Sequence, residues 1–340
     1  MIRATLLLLA IALAACQPAS PSPAALSPAQ TGAAPSAASG SGPPTPSAAD
    51  APTAAWEPRA DAPFARLEMA VAAHEGVIWL AGGLDAFGAA LTDVDIYDPA
   101  TDTWSDGPDL PVSLHHTALV STGDDLLVVG GYLGSSNTPT DGVLRLTASG
   151  DAWETGPPLP GARAAGAAAW DGARVVYGGG VSTTVEEDVF ALEDDEWRMI
   201  GELQINREHL AAASDGEGRT WFLGGRQGSF ETNLSLVDLV DGDEVSPAGE
   251  LPTPRGGVAA FWAPTVGACL SGGEATAGAF DVVECIDAEG TVTTLPVMSA
   301  RRHGHGAAVV DGVAYAVLGG PSPGLAVSSS IEALALGALP

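Results

Sequence analysis

Short apolar runs closed by turn residues recur along most of the chain, and the stretch from Arg66 to Trp104 shows the pattern in full. It passes through the small residues Met69 to Ala73, a Glu75-Gly76 turn, the apolar segment Val77 to Ala81 closed by Gly82-Gly83, a loop, Val94 to Tyr97, a second turn over 98–102, and Trp104. Four such runs separated by turn residues predict four strands of an antiparallel meander. One sheet of this kind cannot bury both of its faces, so the pattern is expected to repeat. Glycine pairs after an apolar run recur at 82–83, 130–131, 178–179, 224–225, 272–273 and 319–320, between 46 and 48 residues apart, which defines six units.

Other registers agree with this period. The fourth-strand position is filled by Trp56, Trp104, Trp153 and Trp197, then by Val245 and Val292. Five units open on a basic residue, Arg66, Arg163, Arg207, Arg255 and the pair Arg301-Arg302, while Leu114 opens the second. This combination resembles the Kelch repeat, whose signature is a double glycine after an apolar strand, then a Tyr and a Trp at fixed offsets; Asp95 to Trp104 fits it closely. The resemblance covers residues 56–340 and implies an all-β, six-bladed β-propeller with four antiparallel strands per blade. The repeats begin with a lone fourth strand near Trp56 and end on a third strand, Ile331 to Leu336, so the N-terminal strand is expected to close the last blade. First strands are small, as in Gly166-Ala167-Ala168-Ala169 and Leu210-Ala211-Ala212-Ala213, which suits strands converging on a narrow axis.

The N-terminal region has a different composition. Residues 1–15 are expected to be a lipoprotein signal peptide, because Arg3 precedes an apolar run, Leu6 to Ala15, too short to span a bilayer as a stable helix. Leu13-Ala14-Ala15-Cys16 resembles the bacterial lipobox, which implies acylation of Cys16; the alternative is an ordinary signal peptide with an unrelated cysteine. Gln17 after that cysteine implies an outer-membrane lipoprotein, on either side of the membrane. Residues 16–55 are dominated by Ala, Pro, Ser, Gly and Thr and are expected to be a disordered tether reaching about 35 Å as a flexible coil and about 120 Å if extended.

Charge narrows the choice of partners. The formal charge of −29 comes from 42 acidic residues against 13 arginines and no lysine, which argues against nucleic acid and leaves the lipid anchor as the expected membrane contact. Acidic runs at Asp124-Asp125, 193–196, 215–217 and 238–244 fall in the first-to-second and third-to-fourth strand turns, all on one face of the disc. They lack the alternating carboxylates of a calcium loop and are expected to be solvated turns.

Candidate chemistry lies on the opposite face. Two positions per unit, two residues after the opening basic residue and just after the glycine pair, are expected to look into the mouth of the central channel. They are Glu68 and Leu84, His116 and Tyr132, Ala165 and Gly180, His209 and Arg226, Gly257 and Glu274, and His303 or Gly304 with Pro321. Glu68, His116, Tyr132, His209, Arg226 and Glu274 are therefore the candidate ligand-binding residues, unless they simply line a water-filled pore. A neutral histidine beside a carboxylate and an arginine suits an acidic sugar or a peptide carboxylate. Cys269 and Cys285, on neighbouring strands of the fifth unit, are expected to form either a disulfide or two buried thiols.

No serine-nucleophile, zinc-protease, P-loop or zinc-ribbon motif occurs, and Schiff-base chemistry lacks its lysine. Tyr97, Tyr132, Tyr177 and Tyr315 are the only tyrosines, and three of them fill strand positions, so they cannot equip the copper radical site found in some Kelch proteins. No catalytic residue, cofactor or metal is expected. The leading expectation is a monomeric, non-catalytic, envelope-anchored binding module presenting one propeller face to an unknown protein or glycan. The alternative is a periplasmic sugar mutarotase or epimerase similar to the six-bladed sialic acid mutarotase, with His209 or Glu274 moving the proton. Loops after the glycine pairs are short and offer no lid to exclude water.

Overall fold

A computed structural model describes residues 54–339; the expectations for the signal peptide, Cys16 and the tether up to residue 53 lie outside the described residues. Each sequence unit folds into one four-stranded antiparallel sheet. β1 (Glu57–Pro58) comes first in the chain and belongs to the last sheet. The first sheet is β2 (Ala70–His74), β3 (Val77–Ala81), β4 (Val94–Asp98) and β5 (Thr103–Asp106). The second is β6 (Ala118–Ser121), β7 (Leu126–Val129), β8 (Val143–Leu146) and β9 (Trp153–Thr155). The third is β10 (Ala167–Trp170), β11 (Val175–Gly178), β12 (Asp188–Glu193) and β13 (Glu196–Glu202). The fourth is β14 (Ala211–Ser214), β15 (Arg219–Leu223), β16 (Leu236–Asp241) and β17 (Glu244–Glu250). The fifth is β18 (Ala259–Ala263), β19 (Gly267–Ser271), β20 (Val283–Ile286) and β21 (Val292–Thr294). The sixth is β22 (Gly306–Val310), β23 (Val313–Val317) and β24 (Ile331–Ala335), completed by β1.

First strands of successive sheets lie against one another, and β22 lies against β2, so the sheets close into a propeller with the small first strands around its axis. β1 pairs with β24, with Glu57 opposite Ala333 and Pro58 opposite Glu332. The fourth-strand tryptophans staple each sheet to its predecessor. Trp56 Nε1 donates to Pro296 O at 2.9 Å, Trp104 to Ala60 O at 2.8 Å, Trp153 to Pro108 O at 2.7 Å and Trp197 to Pro157 O at 2.9 Å. Val245 and Val292 keep the strand but cannot make this bond. Cys269 stands opposite Cys285 on β19 and β20, buried and joined to it by a disulfide.

Neighbouring sheets also touch at the glycine pairs. A β-carbon on Gly130 would sit 2.5 Å from the carbonyl oxygen of Arg163, the opening residue of the next unit. The next glycine donates its N–H to that same carbonyl: Gly83 to Leu114, Gly131 to Arg163, Gly225 to Arg255 and Gly273 to Arg302, at 2.7–2.9 Å. Two units depart from the register read in the sequence. The third places Gly179 and Gly180 in this geometry, because Gly178 ends β11 under the Phe222 ring, 2.8 Å from where its β-carbon would stand. The sixth uses Leu318 and Gly319, with Leu318 at φ +56°. The residues after the pair are therefore Val181 and Gly320, not Gly180 and Pro321.

The opening arginines are buried and meet acids on the third strand of their own sheet. Arg207 reaches Asp238 at 2.6 Å, Arg255 reaches Glu284 at 2.6 Å, Arg302 reaches Glu332 at 3.0 Å, and Arg66 pairs with Asp95. Burial pulls these four guanidinium pKa values down, opposed by the paired carboxylate. In the last two sheets further N–H groups go to backbone carbonyls at the end of the second strand, Arg255 to Gly272 O at 2.7 Å and Arg302 to Leu318 O at 2.7 Å. In the third sheet Phe190 takes the acid's register beneath the Arg163 guanidinium, and Arg163 turns to Asp188 at 2.5 Å. The second sheet has lost both members together: Leu114 replaces the arginine, and Leu144 lies opposite Val128 as Asp95 lies opposite Leu80. Leu114→Arg alone should therefore bury an unpaired charge and lower stability by about 3–5 kcal/mol. Adding Leu144→Asp should recover a large part of that loss in a urea-melt double-mutant cycle, and strict additivity would show that the pair does not couple.

Candidate functional site

Six residues, one per sheet, form the rim of the channel: Glu68, His116, Ala165, His209, Gly257 and Gly304. All six have φ between +51° and +65°. This left-handed turn lets each donate its N–H to the carbonyl of the equivalent residue in the preceding sheet. The bonds run Glu68 to Gly304 at 2.7 Å, His116 to Glu68 and Ala165 to His116 at 2.9 Å, His209 to Ala165 at 2.8 Å, Gly257 to His209 at 3.0 Å, and Gly304 to Gly257 at 2.9 Å. The circle closes on itself and uses the main-chain donors and acceptors of the rim tangentially. Chemistry at the mouth must come from side chains.

The structure brings the six sequence-predicted residues together in two tiers. Glu68, His116 and His209 stand on the ring, and Tyr132, Arg226 and Glu274 stand outside it, bridged to the residues that precede the ring positions. Those preceding residues include His115, Glu208 and His303, all buried. The sequence reading omitted His115 and Glu208 and did not decide between His303 and Gly304; the available signal was that each directly precedes a ring residue. His116 Nε2 lies 3.4 Å from Glu68 Oε2, while its Nδ1 lies 2.6 Å from His115 Nδ1. His209 Nδ1 abuts the Glu208 carboxylate, whose other oxygen accepts from Arg226 Nε at 3.0 Å. Arg226 Nη1 continues to Glu274 at 3.0 Å, and His303 Nε2 lies 3.5 Å beyond. Tyr132 packs beside both His115 and His116, with ring centroids 5.2 and 5.5 Å away.

Burial keeps His115, His116, His209 and His305 neutral. Desolvation, helped by neighbouring cationic groups, pushes His116 down to about 3 and His115 to about 4, and holds His209 and His305 well below the ordinary imidazole value. The same desolvation raises the Glu68 pKa, against the pull of His303, Arg226 and His115. Glu68, Glu208 and Glu274 face a single guanidinium, that of Arg226, which is already held by two of them. Every described arginine lies within 4.0 Å of a carboxylate. Arg226, expected to hold an acidic sugar or a peptide carboxylate, thus already has its Nε and Nη1 engaged by Glu208 and Glu274.

Below the ring the channel holds a cavity of about 150 Å³ between the first strands, then widens to about 640 Å³ toward the opposite face, where Trp170, Phe261, Trp262 and Leu336 line it. Glu68, His116 and His209 have ligand atoms within 4.8 Å of one another, close enough to share a metal ion. Sequence spacing could not expose this set, because its members come from three different sheets.

Neutral buried histidines set the acid limit of the fold. A histidine whose folded pKa is depressed binds its proton more readily when unfolded, so its contribution is intact above about pH 6.5 and is lost as pH falls below that value. Each of His115, His116, His209 and His305 should remove up to about 1.4 kcal/mol per pH unit below 6.5, partly offset by proton uptake at Glu68. Urea melts between pH 7.5 and 5 should show this decline, and His305→Gln should reduce its slope.

Comparison with known proteins agrees with the architecture. The Kelch motif model matches residues 65–111, the first sheet with its opening arginine. Beta-scruin of Limulus polyphemus is 26% identical over 225 residues, which is 62% of this chain and 24% of that protein. Alpha-scruin of the same animal is 28% identical over the same share of each chain. The chain thus spans about a quarter of the length of the curated relatives it matches. The first sheet thus carries a Kelch motif, and the glycine-pair contacts found there are repeated around the ring.

Proposed function

We infer that the protein is a non-catalytic binding module, tethered to the outer membrane through an acylated Cys16, that engages a protein partner with the face bearing the channel mouth. The observation that carries this reading is where apolar surface is left open. Of the large hydrophobic side chains exposed among the described residues, Phe64, Phe87, Val112, Val297 and Leu325 all lie in connections on the mouth face. Phe87 is 92% exposed and Leu325 50%, and Leu325 covers Gly88, so the two border one patch. Exposed aromatic and aliphatic clusters of this kind on a rigid frame are suited to protein contact. The other face carries acidic turns already engaged by arginine, as where Arg198 grips Asp243 with two bonds of 2.8 Å.

A sugar mutarotase acting on an acidic sugar would need a cation free to hold the substrate carboxylate, and Arg226 is committed to Glu208 and Glu274. That favours binding over catalysis. Cross-linking from intact envelopes should capture a protein with the full chain and with Met199→Ser, an exposed site on β13, but not with Phe87→Ser combined with Leu325→Ser. Equal capture by all three would move the interface away from the mouth face. Labelling with a fatty-acid analogue should mark the wild type and spare Cys16→Ser, whereas equal labelling would remove the anchor from the reading.

A further inference from the structure

We propose that Glu68, His116 and His209 bind one late first-row divalent cation, with zinc the best match, at the centre of the channel mouth. This goes beyond the partner reading and does not depend on it. A carboxylate and two imidazoles form the donor set of open zinc sites, which keep a fourth position for water or an incoming ligand. Tetrahedral zinc at its usual bond lengths holds ligand atoms about 3.3 Å apart. Glu68 Oε2 and His116 Nε2 are already 3.4 Å apart, and the His116 and His209 rings stand edge to face with centroids 4.8 Å apart.

The support behind the three ligands is the stronger argument. A metal-binding imidazole needs its second nitrogen held by a neighbour, which fixes the tautomer and aims the lone pair. His116 has this arrangement, and His209 has a carboxylate against the corresponding nitrogen. His116 Nδ1 is held by His115 Nδ1 at 2.6 Å, and His209 Nδ1 rests on the Glu208 carboxylate, so each is left with Nε2 for the ion. Glu208 is itself held by Arg226, and Arg226 by Glu274. The three remaining ring positions, Ala165, Gly257 and Gly304, have little or no side chain and leave the open coordination site facing the mouth. Charge fits as well. Three carboxyl groups face a single guanidinium there, an acceptor-rich setting for a cation.

The ligand residues also occupy a strained backbone. Glu68, His116 and His209 sit at φ +55°, +51° and +52°, where glycine would be more comfortable and where two other sheets do use glycine. Ala165 holds the same conformation at φ +53°, so the rim bonds rather than the side chains impose it, and the ring fixes where each ligand side chain starts.

The test is titration of the metal-stripped full chain, carrying no affinity tag, with Zn²⁺ against a chromophoric chelator, together with the visible spectrum of the Co²⁺ form. One equivalent should bind per chain, and cobalt should give the intense bands of a four- or five-coordinate site. Glu68→Gln, His116→Ala and His209→Ala should each weaken zinc binding about 100-fold or more, and Glu208→Gln, a positioning change, about tenfold or more. His74→Ala, at the far end of β2, should bind as the wild type does. Near-ultraviolet circular dichroism checks that each variant is folded, and His209→Gln replaces His209→Ala if the latter is not. Failure of the folded wild type to take up zinc overturns the proposal. So does uptake that survives all three ligand substitutions, which would place the ion among the acidic turns.

Discussion

The closed circle of six main-chain hydrogen bonds at the rim is the constraint on which the rest depends. It exists only if six sheets meet around one axis, and it requires a left-handed backbone at each contributing residue. For the four members that are not glycine, that conformation costs on the order of 1 kcal/mol each. The glycine pairs form a second circle further out, with each pair's second glycine bonded to the next unit's opening residue. Closure of the sixth sheet by β1 therefore does more than cover an edge. It holds the sheet that presents Gly304 to Glu68, and so affects the geometry of a mouth to which the N-terminal strand contributes no side chain.

The arginines explain how such an acidic chain holds together. Arg66, Arg207, Arg255 and Arg302 each lock the start of a first strand to the third strand of the same sheet, and the last three also bond the second strand. Breaking one such buried pair is expected to be far more damaging than never having had it, and the all-leucine solution of the second sheet illustrates the latter. On the acidic face, Arg145 joins the turn at Asp125 to the one at Asp195 of the next sheet, and Arg174 joins Asp171 to Asp243. With its cations spent on the scaffold, the protein presents carboxylates and neutral imidazoles to the solvent side of the mouth.

Much of this architecture was legible because it is periodic. The glycine pairs, tryptophans and opening arginines mark the sheets, and the incomplete first and last units mark the closure. The register slipped where the signal was degenerate: three consecutive glycines at 178–180 conceal which two make the inter-sheet contact, and Leu318 in a glycine conformation carries no sequence mark. The ring residues could be named from their offset after the opening residue. Their second tier could not, because Glu208 and His115 act only through neighbours supplied by the fold. The partners of Arg226 were hidden for the same reason. Its residue type suggested an anion site, and only the fold shows Glu208 and Glu274 standing beside it. The third-strand acids, Asp95, Asp238, Glu284 and Glu332, were visible as letters but not as partners, since nothing in a strand pattern says that a carboxylate faces inward.

The rim has a consequence for how such a protein can diversify. Its backbone bonds run from sheet to sheet and are indifferent to which side chain each residue carries, as the presence of Glu, His, Ala and Gly at equivalent places shows. The mouth is in effect a circular word of six letters, written on a page that does not change when a letter does. A single codon change at Ala165 would add a fourth donor to the set without lengthening a loop or moving a strand, so new specificities lie one substitution apart rather than one refolding apart.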